Sequence, residues 1–222
     1  MFRLGIIIVQ YGKQTDFLRR CAERLRFTIP SDAFLIEYDN TEHNHNLSML
    51  WNRLAERCFD CDYICFLNPD VLIPDGTFQR LIEVLDKNPD IAVVGPSSNS
   101  GPTKMEEVFS VPNPPQLSDL HRLQFAANYH AVMRGSIRDT EIFGHFYMIR
   151  RWIFDCYKWD ERFSFFGQDT DLNLRLRADG FRVCQVRAAY AWHWGGYCAR
   201  DVDKGEMQRR KAEALELLQR KE

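Results

Sequence analysis

The chain has 222 residues, 45% hydrophobic and 13% aromatic, enough apolar surface for one globular domain around a substantial core. A formal net charge of −2 and a sequence pI near 6.3 give no global field that would advertise nucleic acid or an anionic membrane as partner, so any such contact needs a local patch. Residues 1–3 run straight into the apolar residues 4–9, with no charged leader, cleavage site or membrane-spanning run, so a soluble, cytoplasmic protein is expected.

In chain order, residues 4–9 (LGIIIV) read as a buried first strand that ends at Gln10-Tyr11-Gly12. Thr15 or Asp16 can cap a helix carrying Phe17, Leu18, Cys21, Ala22 and Leu25 on one face. Residues 33–38 form a second strand that delivers Asp39-Asn40 at its carboxyl end. A stripe of Leu47, Leu50, Trp51, Leu54, Ala55 and Cys58 predicts a helix over residues 47–58. It leads into the third strand, residues 63–67, which is followed at once by Asn68-Pro69-Asp70. In an open α/β sheet, ligands bind at the carboxyl ends of the strands, so Asp70 stands where a functional acid belongs, although the tripeptide alone also reads as a plain turn.

Asp75-Gly76-Thr77 opens a helix with Phe78, Leu81, Ile82 and Leu85, and Asn88-Pro89 stops it before a fourth strand at residues 91–95. This β-α-β-α-β-α-β order calls for right-handed crossovers and a mostly parallel sheet with helices on both faces. Residues 96–116 hold five prolines and read as a long functional or mobile loop, with only residues 105–111 able to form a short strand. Residues 117–132 are read as helical. The bases Arg122, Arg134, Arg138, Arg150 and Arg151 outnumber nearby Asp139 and Glu141, as either a solvated face or a seat for an acidic acceptor.

Residues 141–149 are read as a strand in which Gly144 permits close approach of a ligand or backbone, followed by a short helix over residues 151–157. Gln168-Asp169-Thr170-Asp171 then opens a helix that Gly180 ends, gathering acids at a helix N-terminus. Two short strands, residues 182–186 and 188–192, lead to His193-Trp194-Gly195-Gly196. From Lys204 onward a charged surface helix packs through Met207, Leu215 and Leu218. The seven cysteines, Cys21, Cys58, Cys61, Cys65, Cys156, Cys184 and Cys198, are an odd number in apolar surroundings and are read as reduced thiols. Cys58, Cys61 and Cys65 hint at zinc, but no fourth ligand follows at ribbon spacing.

Taken together, LGIIIVQYGK, YDN, CFLNPDVLIPDG, KNPDIAVVGP, WDERFSFFGQDTDLNLRLRADGFRV and AWHWGG resemble family 2 glycosyltransferases of the GT-A fold, specifically rhamnosyltransferase-like members. The resemblance implies one domain over residues 1–222: a nucleotide-sugar half (1–96), an acceptor and catalytic half (97–200) and a C-terminal surface helix (201–222). It implies an inverting hexosyltransferase that moves a sugar from a UDP-, dTDP- or GDP-sugar to a glycan or lipid-linked saccharide. Asn68-Pro69-Asp70 falls at the family's DxD position, with Asn68 replacing the first acid. Asp70 and His193 are thereby implied as ligands of Mg2+ or Mn2+, and mixed nitrogen and oxygen ligation favours Mn2+. Val9, Gln10, Tyr11, Asp39, Asn52 and Asn68 are implied for the donor nucleotide.

Asp169 falls where the family keeps its catalytic base, a role the chemistry requires because an acceptor hydroxyl has a high pKa. Gly144, Asp160, Gln168, Asp171 and Trp194 are placed on the acceptor side or behind the reacting groups. Gln168 replaces a glutamate of the family pattern, and Asp171 is read as a cap or supporting group. Two other readings are carried forward. One is the same chemistry on a hydroxylated base in nucleic acid, which the basic segment motivates. The other is a catalytically inert sugar-nucleotide binder, which the neutral Asn68 and Gln168 motivate. A nucleotidyltransferase lacks support because Gln10-Tyr11-Gly12-Lys13 is not a glycine-rich phosphate loop.

Overall fold

A computed structural model describes residues 3–12, 15–105, 111–195 and 203–220. Strand β1 (Leu4–Gln10) is apolar up to its last residue because both of its faces are covered. Ile6 and Ile8 join a core with Phe78, Leu81 and Leu85, whereas Ile7 and Val9 join one with Trp51, Leu54 and Phe154. Helix α1 (Asp16–Thr28) follows, capped by the Thr15 hydroxyl. Then come β2 (Phe34–Asp39), α2 (Leu47–Ala55) with a 3-10 turn at Glu56–Cys58, β3 (Tyr63–Leu67), β4 (Val71–Leu72), α3 (Thr77–Lys87) and β5 (Ile91–Ser98). The remainder is α4 (Leu117–Arg134), β6 (Ile137–Asp139), β7 (Phe146–Arg150), α5 (Arg151–Tyr157), α6 (Gln168–Ala178), β8 (Arg182–His193) and α7 (Lys204–Gln219).

The eight strands form one sheet in the order β2-β1-β3-β7-β5-β8-β4, with β6 on β8. β1 pairs parallel with β2 and β3, and β5 with β8, while β7 runs antiparallel to both β3 and β5. Five long strands therefore end on one edge of the sheet, and reversed β7 begins there. This topology collects distant segments of the chain. Leu67 pairs with Phe146, which sets Asn68 beside His145, and Val71 pairs with His193, which sets Asp70 beside it.

The mostly parallel α/β sheet agrees with the sequence reading, and the differences have local causes. β5 continues through Pro96 to Ser98, and the two strands expected at residues 182–192 are one, β8. A register shift, from Pro96 opposite Val186 to Ser97 opposite Tyr190, absorbs residues 187–189 as a bulge. Strand β7 begins only at Phe146, so Gly144 lies in the preceding turn rather than in a strand. β4 and β6 are two and three residues long, too short for any periodicity, and owe their pairing to β8. The strand expected over residues 105–111 falls largely on residues 106–110, outside the described residues, as do Lys13, Gly196 and Cys198.

Helix α7 buries Ala214 rather than Leu215, which is 61% exposed. Its Arg210 and Lys211 lie over the rings of Phe165 and Phe166. The expected basic cluster divides, with Arg134 and Arg138 near Arg187, whose pKa burial and these two cations lower, and Arg150 and Arg151 engaged elsewhere. Arg150 donates to the carbonyls of Leu85, Asn88 and Ile91, and Arg151 is tied to Asp155 and to the Ala55 carbonyl. Among the described residues no helix is long and apolar enough to cross a membrane, and no three His, Cys, Asp or Glu side chains converge as a metal cage.

The core under the site is aromatic. Trp159 packs within 5.2 Å of Trp51, Phe66 and Tyr147, measured between ring centroids, contacts worth about 0.5–1.5 kcal/mol each beyond burial. Asn52 holds this loop to α2, its amide donating to the Trp159 carbonyl at 2.9 Å and accepting from the Trp159 N–H at 3.0 Å. Asn52→Ala leaves both buried backbone groups unpaired and is expected to lower unfolding stability by about 2–4 kcal/mol, measured by urea denaturation. A loss below 0.5 kcal/mol, about the level of a neutral surface change, would remove this clamp from the account.

Candidate active site

At the collecting edge of the sheet lies a cleft of about 510 Å3 whose walls include Val9, Tyr11, Trp51, Asn68, Asp70, Phe143, Gly144, His145, Phe165, Phe166, Gln168, Asp169 and His193. Asp70 is 2% exposed. Its Oδ1 lies 3.2 Å from Nε2 of His193, yet this buried oxygen has no hydrogen-bond partner. His193 is held by its backbone, which donates to Asn99 Oδ1 at 2.7 Å and accepts from Asn99 Nδ2 at 2.8 Å. The Trp194 N–H donates to the Asp70 carbonyl at 3.2 Å, and Asn68 Nδ2 is 3.4 Å from His193 Nε2.

An orphaned carboxylate oxygen facing an imidazole nitrogen is what a cation site requires. Two ligand atoms about 2.1 Å from an octahedral cation stand about 3.0 Å apart. The Asp70–His193 separation fits this, and one carboxylate with one imidazole suits Mn2+ or Mg2+ whose other positions come from phosphate oxygens and water.

Asp169 enters from another direction, in the first turn of α6, where Gly167 in the left-handed region (φ 83°) starts the helix. A Cβ on Gly167 would press to 3.0 Å from the Phe163 ring and 3.3 Å from Ala214, so close packing and backbone conformation both favour glycine. Asp169 Oδ2 accepts the Gly144 N–H at 2.8 Å, and Oδ1 accepts that of Thr170 at 2.9 Å. Burial raises its carboxyl above the ordinary carboxylate range and Glu141 adds to this, while the Gly144 and Thr170 amides act against it.

The other expected residues divide. Val9, Tyr11, Asn68, Gly144 and Gln168 line the cleft with Asp70, Asp169 and His193. Gln168 is buried, with Oε1 unpartnered. Gln10 and Asp39 line a neighbouring cavity of about 390 Å3 beside α1, which shares only the Asn68-Pro69 wall with the cleft. Asp39 accepts from the Thr41 N–H. Asn52 is spent on Trp159 and Glu161, and Asp160 pairs with Arg162. Neither lines the cleft. Asp171 turns inward to Arg175 at 2.9 Å, and Trp194 packs on Phe17 at 4.8 Å.

Sequence reasoning missed Trp51, Phe143, Phe165 and His145 as cleft residues and Asn99 as a support. His145 is the most informative. Its ring is stacked on His193, with centroids 4.6 Å apart and planes 5° apart. It is 7% exposed, and its Nε2 has no partner. Burial, with His193 adjacent, pushes its pKa down to about 3, so the ring is neutral near pH 7.

No curated protein matches the sequence. Among solved structures 128 chains match. One, a crystal structure of GalNAc-T7 with UDP, GalNAc and Mn2+, has a TM-score of 0.63 at 12% identity, over 86% of this chain and 44% of that one. This chain thus spans less than half of that protein's length. At such identity the likeness concerns the fold, which is GT-A. The profile of glycosyltransferase-like family 2 matches residues 6–211, and the chain belongs to that family.

Proposed function

We propose that the chain transfers a hexosyl group from a nucleoside diphosphate sugar to an acceptor hydroxyl, with inversion and with the help of a divalent cation. The observation that carries this reading is the buried, unpartnered Asp70 Oδ1 at 3.2 Å from His193 Nε2, in the same cleft as Asp169. Two carboxylates in one cleft repel a diphosphate unless a cation stands between them and it. The family membership and the UDP and Mn2+ of the GalNAc-T7 structure agree with that need. A UDP-, dTDP- or GDP-sugar would lie over the ends of β1 and β3, against Val9, Tyr11 and Asn68, with residues 1–96 as the donor half and 97–200 as the acceptor half. The rhamnosyltransferase-like subtype belongs to this proposal.

In the proposed reaction an acceptor hydroxyl gives its proton to Asp169 as its oxygen attacks the anomeric carbon opposite the departing nucleoside diphosphate. The carbon–oxygen bond to the phosphate breaks as the new glycosidic bond forms, so one displacement inverts the centre. The Gly144 amide keeps the carboxylate aimed into the cleft, and burial keeps its basicity useful near neutral pH. A cation held by Asp70 and His193 would supply charge to stabilise the leaving diphosphate. Trp51, Phe143, Phe165 and Phe166 line the cleft and offer apolar surfaces to sugar rings, which favours a saccharide or lipid-linked glycan acceptor. Arg150 and Arg151 are spent on backbone carbonyls, which removes two of the five bases that motivate a nucleic-acid acceptor.

Asp169→Asn is expected to lower kcat by about 10²–10⁴-fold with donor affinity retained, read as nucleotide release from a panel of UDP-, dTDP- and GDP-sugars. An inert binder would show no release from wild type with any donor and acceptor, and that outcome would overturn the enzyme reading. The acid limb of the wild-type kcat/KM profile should lie above the ordinary carboxylate range, because the raised Asp169 must ionise to act.

The same shift has a stability sign. A carboxyl whose folded pKa is raised loses stability as pH climbs from its unfolded to its folded value. The melting temperature of wild type relative to Asp169→Asn should therefore fall as pH climbs through the raised Asp169 value, and a difference that does not change with pH would contradict the burial argument. Asp70→Ala should abolish Mn2+-stimulated turnover, as should EDTA on wild type. Undiminished turnover in either case would remove the cation from the proposal.

A further inference from the structure

The turn before β7 ties together the groups proposed to react. The Gly144 N–H reaches Asp169 Oδ2 at 2.8 Å, the His145 carbonyl accepts the Asn68 N–H at 3.0 Å, and the His145 ring lies flat on His193. The imidazole of His145 is thus held against His193, on the residue that follows the amide holding Asp169. Stacking on one face restricts its rotation, so the direction of Nε2 is set before any ligand arrives. His145 lines the cleft on a side chain 7% exposed, and its buried Nε2 has no hydrogen-bond partner among the described residues.

Leaving a polar group so buried without a partner is unfavourable, a penalty an apolar ring here would avoid. The penalty is offset when a ligand brings the missing partner. In the proposed donor complex, phosphate oxygens sit towards Asp70 and His193, and the attacking hydroxyl sits at Asp169. The transferred sugar occupies the space between, in the cleft that His145 also lines. A sugar hydroxyl both donates and accepts, so it can satisfy Nε2 in either tautomer, whereas a phosphate oxygen only accepts. Resting on the proposed function, we infer that His145 Nε2 hydrogen-bonds a hydroxyl of the sugar being transferred and so helps determine which donor sugar the cleft takes.

The test is calorimetric, with Mn2+ present. UDP, GDP and dTDP are compared with their glucose, galactose, N-acetylglucosamine and rhamnose esters, to find the nucleotide bound best and the sugar that adds most affinity to it. His145→Phe keeps a flat ring on His193 but removes Nε2, and should cut that sugar increment about tenfold while nucleotide affinity stays within about twofold. His145→Gln restores an amide near the Nε2 position and should recover most of the increment. If His145→Phe fails to fold, His145→Ala is read in the same way.

An unchanged increment in the ring-replacing variant overturns the inference. So does a matching loss of nucleotide affinity in the Phe and Gln variants, which marks a purely structural role. A wild type that binds nucleotides but gains nothing from any sugar also overturns it. A wild type that binds no nucleotide at all fails the donor reading itself, a result distinct from these.

Discussion

The amide hydrogen of Gly144 on the carboxylate of Asp169, at 2.8 Å, joins the two halves of the site. It lets a carboxylate at the start of α6 face a cleft built from strand ends far away in sequence. A Cβ on Gly144 would stand 3.3 Å from the Trp51 ring, so a side chain there would push against the aromatic core. The same turn carries His145 and, through its carbonyl, the Asn68 segment. A small displacement of this turn would move Asp169, the imidazole stack and the Asp70 loop together. Such coupling is what preorganised chemistry needs, since misplacement of about 1 Å can lower rate about 10²-fold.

Charge placement follows from this geometry. Asp70 is buried with an unpartnered oxygen, and Asp169 is partly buried with two amide donors. The first carboxylate has one oxygen without a hydrogen bond, facing His193, where a cation would supply compensation. The second is stabilised enough to ionise yet remains basic, because burial outweighs the amides. Asn68, where a second acid might stand, leaves the pair with one full negative charge. Its amide instead approaches His193 at 3.4 Å and its backbone joins the Gly144-His145 turn.

Much of the fold was legible because burial imposes pattern. Apolar residues 4–9 could belong only to a strand covered on both faces, and α5 starts and ends where the sequence reading placed it. The order of the first strands and helices followed, and with it the edge that carries Asp70, whereas the resemblance rather than the pattern implied Asp169 and His193 there. Elements created by a partner were not legible. β4 has two residues and exists because β8 passes beside it, and the bulge at residues 187–189 depends on the register of β5.

Individual side chains divided in the same way. Asn52 sits on a helix near the site in sequence, but its amide is consumed by Trp159. The arginines at 150 and 151 form a basic cluster only in one dimension, since in space each serves backbone carbonyls. His145 was invisible because a histidine inside an apolar segment has no periodic signature, and only the absence of a partner for Nε2 marks it. Gln10 and Asp39 opened on a neighbouring cavity because alternate residues of a strand point to opposite faces.

The central claim is that Asp70 and His193 share a cation with the diphosphate of a donor. Pulsed electron paramagnetic resonance of Mn2+, with the protein and UDP, GDP or dTDP, examines it directly. A phosphorus coupling from the nucleotide together with a directly bound imidazole nitrogen, the nitrogen signal vanishing in His193→Gln, is the expected result. Mn2+ that shows no protein nitrogen with any of the three nucleotides would contradict the claim.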